Sequence, residues 1–373
     1  MGQTNSKPSL PHTPTARLYH LDNLRTFLTA LVIFHHTAIP FGGLGSWAYT
    51  SPHHVQGSSL TLTAFNALNQ SFFMGSFFYL SGIMSAQSLK RKESVRGFLK
   101  QKWLKLGVPV VVYTLLGPPT QATLIRFCRG EGLDFLKTMV VHVKGLRSVR
   151  GPVWYSSLLL LFDTAYSLLP SLSLPNIGFW PTIALDTGSS FLLQVPNPIT
   201  KVFKPLSVRP GYFPQYAISY NLGTRSGADG SSLLTPERRN ALLAASVLSG
   251  SCILGLLRSS PERYSLSSLN GNFNLLAFSY VIWNETTGFL LGTSLLDLFG
   301  RREWGRRHWG NVGRYSYGAF LVHPVICVGF QVAAEGWKAG GLVKTFFCGI
   351  LGVTGSWAVA WGMLKVPWVG KVL

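Results

Sequence analysis

Ten stretches of this chain are apolar over nearly the length that a membrane crossing demands, and that repetition constrains the fold more than any other feature. A helix rises about 1.5 Å per residue, so a hydrocarbon layer of roughly 30 Å needs about 20 apolar residues. Runs of this kind occupy 21–40, 63–86, 104–120, 152–170, 273–298, 311–333 and 342–364, with a shorter one at 241–257. Two further runs are weaker. The run 178–195 holds Pro181 and Asp186, and 211–223 is short and polar, so eight spans is the alternative count if both lie in the interface. The expected fold is all-α: a polytopic transmembrane helical bundle of about ten spans over residues 20–373, behind a polar tail at 1–19.

Charge supports that reading. Only 12% of residues are charged, half the usual share of a soluble chain, while 47% are hydrophobic and 13% aromatic. Lys and Arg number 33 against 13 Asp and Glu, a formal +20. Because the basic residues lie between apolar runs rather than on one face of a soluble module, they fit an anionic lipid surface and not a nucleic acid. The four cysteines show no metal or disulfide spacing, so no metal site is expected.

Orientation follows from basic asymmetry between loops. The loop after the second run carries Lys90, Arg91, Lys92, Arg96, Lys100, Lys102 and Lys105, whereas residues 41–62 contain no Lys or Arg. That places 41–62 outside and the N-terminus in the cytosol, with Arg301, Arg302, Arg306 and Arg307 also inside. The stretch 121–151 opposes the trend, being basic yet external on this count. No secretory signal precedes the first run, and Met1-Gly2 with Ser6 matches a myristoylation signature at Gly2.

Polar groups inside spans are expensive, so each is a candidate for function. In the first run, Arg25 and His36 are eleven residues apart, about three turns, and therefore share a face roughly 16 Å apart along the axis. Asp22 and Thr29 fall on the same stripe, while His35 points about 100° away. Lys102 and Lys105, three apart, are expected on one face at the start of the third run, as a phosphate clamp or as a positive-inside anchor. Asp163 and Glu285 lie within spans and need partners. His323 precedes Pro324, whose missing N–H frees a carbonyl and bends the helix beside the imidazole.

These blocks resemble the acyltransferase-3 family of integral-membrane acyltransferases. The resemblance runs from about Tyr19 to Trp361 and is carried by Leu21-Asp22-Asn23-Leu24-Arg25 with His36, by Phe72-Phe73-Met74 and Leu80-Ser81-Gly82, and by Phe98 through Pro109. Gly151-Pro152-Val153-Trp154-Tyr155, Gly211 through Tyr216 and Ser316-Tyr317-Gly318 with His323-Pro324 extend it. The Phe213-Pro214-Gln215-Tyr216 stretch leans toward the glucan-succinylase-like and O-antigen-acetylase-like branch with fungal relatives. The resemblance implies ten helices, a cytosolic acyl-CoA co-substrate with no bound cofactor, and acyl transfer to a hydroxyl of a carbohydrate or secondary metabolite. It makes His36 the catalytic histidine and Arg25 its motif partner. Lys102 and Lys105 stand where the family has an Arg-x-x-Arg pair thought to hold CoA phosphates, keeping the charge but losing bidentate geometry. Asp22, Glu285 and His323 would bind the acceptor or support the imidazole. Two other readings are a transporter that uses the buried polar groups as a proton relay, and a family member without activity.

Overall fold

The computed structural model describes residues 18–92, 94–169, 174–175, 177–226, 234–259, 266–269 and 271–373; Gly2, the expected myristoylation position, lies outside them. Helices occupy all ten expected runs. In chain order they are α1 (Tyr19–Ala38), α2 (Leu60–Lys92), α3 (Val95–Lys102) leading through a π turn into α4 (Val108–Cys128), α5 (Phe135–Lys144), α6 (Val153–Leu168), α7 (Phe179–Gln194) and α8 (Phe213–Arg225). There follow α9 (Pro236–Ser259), α10 (Leu275–Arg301), α11 (Glu303–Arg306), α12 (Val312–Ala333), α13 (Gly341–Leu364) and α14 (Val369–Val372).

Side-chain contacts set the direction of each helix. Arg25 reaches Met84 while Asn66 reaches the carbonyl of His35, so α1 and α2 are antiparallel. Arg25 also reaches the Gly313 carbonyl, and Gln331 that of His36, so α12 runs with α1. Extending this through Gln215 to Ser71, Tyr220 to Asp163 and Asp186 beside Glu285 makes the ten long helices alternate in direction along the chain. Among the described residues, five segments are long and apolar enough to cross a membrane by composition alone: 19–41, 95–128, 236–259, 312–333 and 341–364. Helices α2 and α10 are more polar and carry Asn66, Asn69, Asn284 and Glu285, all of them buried inside the bundle. At 13 residues, α8 spans only about 20 Å.

The core explains why such polar helices associate. Gly82 of α2 and Gly223 of α8 let the two backbones touch, and a Cβ on either would collide with the main chain opposite. Around this contact, Phe78 stacks on Tyr216 and packs against Tyr155 and Phe162. Small residues plus aromatics replace the hydrophobic drive that lipid does not supply.

Two expectations are corrected here. Lys102 and Lys105 do not share a face: residues 103–107 form a π turn, whose extra residue rotates Lys105 out to the exposed surface while Lys102 turns inward. The stretch 121–151 is not a plain loop either. Helix α4 continues to Cys128, and α5 folds back along it until His142 bonds the carbonyl of Thr114 at 2.8 Å. That carbonyl lies four residues before Pro118, which has no N–H to offer it, so His142 supplies the missing donor.

Candidate active site

Helix α1 delivers His35 and His36 to its last turn, where the chain leaves the bundle through Ile39–Phe41 and a loop that returns over the helix end. In that loop Trp47 lies nearly parallel to His36, with ring centroids 4.4 Å apart and planes inclined by 16°. Gln331 of α12 fixes the arrangement from both sides. Its Oε1 accepts from the Trp47 indole at 2.7 Å, and its Nε2 donates to the His36 carbonyl at 3.3 Å. Tyr49 pins the same loop by donating to Glu335 at 3.2 Å, and Glu335 is also paired with Arg129 at 3.2 Å. Burial, together with the Glu335 carboxylate, pushes the Tyr49 hydroxyl up to about 12, so it stays a donor throughout the physiological range.

The third imidazole comes from α12. His323 lies 5.4 Å from His36 with its ring inclined by 17°. Its Nδ1 stands 2.6 Å from the carbonyl of Phe320, four residues before Pro324. A carbonyl can only accept, so Nδ1 carries the proton and Nε2 keeps the lone pair in the neutral ring. Nε2 is buried and has no hydrogen-bond partner among the described residues, as is Nδ1 of His36. His35, 4% exposed, packs its ring on Phe73 of α2 and meets His36 edge-on.

Such a cluster can accept and return a proton, as general-base transfer requires. The family comparison is then decisive: the acyltransferase-3 model, described as an acyltransferase domain, matches residues 18–361. The chain belongs to the acyltransferase-3 family. No curated protein matches the chain, and no solved structure does.

The acyltransferase-3 residues expected from the sequence fall into separate places. His36 and His323 come together. Arg25 stays three turns away, bound to Asp22 at 3.1 Å and reaching the Gly313 carbonyl at 3.4 Å, with its Nε buried and unpartnered. Thr29 spends its hydroxyl on the Arg25 carbonyl. Lys102 forms a buried ion pair with Asp163 at 2.8 Å and also donates to Ser85, while Tyr220 donates to the other Asp163 oxygen at 2.7 Å. Lys105 is exposed, with no ion pair or hydrogen bond from its side chain among the described residues.

Glu285 joins none of these. It lies in a slot of about 400 Å³ lined by α2, α8 and α10, receiving Gln215 at 2.7 Å and Asn284 at 3.1 Å. Trp47, Gln331, Gln215, Asp186 and Arg209 were not legible as site residues. The side chain of Arg209, just before α8, makes no hydrogen bond or ion pair among the described residues, and its charge acts on His35, Tyr212 and Tyr280. Trp and Gln in loops or apolar helices carry no signal in a single sequence; only the unusual pairing of an Arg with a Tyr-rich segment could have raised Arg209.

Proposed function

We propose that this membrane acyltransferase moves an acyl group from acyl-CoA on the cytosolic side to a hydroxyl of a carbohydrate or secondary metabolite, with His36 as general base. The observation that carries the reading is the His36–His323 pair beneath Trp47, in a chain of this family. The acceptor hydroxyl gives its proton to a neutral His36 nitrogen as its oxygen attacks the thioester carbonyl. The tetrahedral intermediate collapses, the C–S bond breaks, and the imidazolium returns the proton to the departing thiolate, leaving an ester and free CoA thiol. General-base assistance of this kind is worth roughly 10²–10⁴-fold.

The remaining residues take supporting roles in this proposal. His323, held in the Nδ1–H form, offers its Nε2 lone pair to the acceptor or to His36. The Arg209 charge favours the oxyanion as it develops. Arg25, with its salt bridge to Asp22, guides the donor from the cytosolic end toward the imidazoles. Lys105 is the exposed ammonium available to a CoA phosphate, and Lys102 holds the neighbouring turn through Asp163. The glucan-succinylase-like branch and a secondary-metabolite acceptor remain part of the proposal, as does a cytosolic N-terminus acylated at Gly2.

The test uses purified protein in lipid nanodiscs with radiolabelled acetyl-CoA and a metabolite extract. Label transferred to an alkali-labile ester, and lost in His36→Ala, supports the reading. CoA release with no ester formed, or undiminished transfer by His36→Ala, overturns it.

A further inference from the structure

We propose that the slot between α8 and α10 is a second ligand site, built to hold a protonated amine. Its floor is α2, and its lining includes two buried carboxylates, Asp186 and Glu285, 6% and 2% exposed. Their hydrogen-bond donors are neutral: Gln215 and Asn284 donate to Glu285, and Gln215 also donates to the Ser71 carbonyl at 2.8 Å. Among the described residues no Lys or Arg is ion-paired with either carboxylate. Burying a carboxylate without a counter-charge is costly, and a cation brought by a ligand removes that cost.

Two buried acceptors on its wall, Asp186 Oδ1 and Gln215 Oε1, have no donor among the described residues, and the Ser76 hydroxyl there is also without a partner. A ligand that brings several N–H donors and one positive charge satisfies these acceptors together with the carboxylates, which a hydroxyl compound or a carboxylate does not. An alkyl or ring body fits beside it along Leu24, Leu80, Leu222 and Leu296, while the exposed Arg225 also lines the slot. The volume of about 400 Å³ suits a small organic molecule. The proposal does not depend on the catalytic role of His36, which does not line the slot.

Octylamine, protonated at pH 7, is the probe, with octanol as its uncharged counterpart of equal length. Titration calorimetry on the full chain in nanodiscs measures saturable binding above partition into lipid. The expected result is one amine bound per chain at least tenfold more tightly than octanol. Asp186→Asn with Glu285→Gln should weaken the amine at least tenfold. Leu222→Trp fills the slot, leaves both acids intact and should abolish binding, so it decides the matter if the double variant does not fold. Equal affinity for octanol, unchanged amine binding in Leu222→Trp, or displacement by millimolar sodium would each overturn the proposal.

Discussion

His323 donates its Nδ1–H to the carbonyl of Phe320 at 2.6 Å, and that carbonyl is the one Pro324 leaves without its helical donor. One proline thereby sets the tautomer of a buried imidazole. Pro324→Ala restores the N–H and competes for Phe320. We expect a folded protein whose transfer rate falls about tenfold, toward the lower end of what proton transfer contributes. An unchanged rate would show that the tautomer does not matter.

His36 and His35 are neighbours with different surroundings, so replacing each separates catalysis from packing. His36→Ala should reduce transfer by at least about 10²-fold while the protein stays inserted and monodisperse. His35→Ala removes a ring packed on Phe73 and should cost stability but keep most of the activity. Equal losses of activity would point to packing of α1.

Lys102 and Lys105 should behave unlike one another. Lys102→Met leaves Asp163, which has no solvent exposure, without its cation and should destabilise the fold by about 3–5 kcal/mol. Adding Asp163→Leu should restore much of that loss. Lys105→Ala should leave thermal stability unchanged and raise the KM for the acyl donor with the acceptor KM unaltered. A normal donor KM in Lys105→Ala would make it an anchor only.

The loop between α1 and α2 tests the orientation. Ser51 is buried and bonded to His54, so it is a poor labelling position, whereas Val55 is 75% exposed. With the exposed Cys128 and Cys252 changed to Ser, Val55→Cys should react with an impermeant maleimide added outside intact cells. Reaction only after the cytosolic face is opened would invert the topology and the side assigned to the donor.

Trp47 covers His36 and is tied to Gln331, so Trp47→Ala should admit water to the imidazole. Hydrolysis of the acyl donor without acceptor should rise several-fold relative to transfer, measured as free thiol against ester formed. A constant ratio would deny the loop any role in excluding water.

The sequence by itself determined that the chain is a helical membrane bundle and where its helices lie, because lipid leaves the backbone no other partner and writes each crossing as an apolar run. It also singled out His36, His323 and Pro324, since buried polar groups and a proline inside a helix are conspicuous against such runs. Which of those groups meet was decided only by tertiary structure. Periodicity put Lys102 and Lys105 on one face, but a π turn stabilised by packing around Leu106 and Gly107, with Asp163 drawing Lys102 inward, parted them. Glu285 and His36 looked alike as polar residues in apolar helices, yet Glu285 lines the slot between α8 and α10 whereas His36 packs against Trp47 and His323. Trp47, Gln331 and Asp186 acquire meaning only from partners up to 284 residues away, and one sequence holds no record of that pairing.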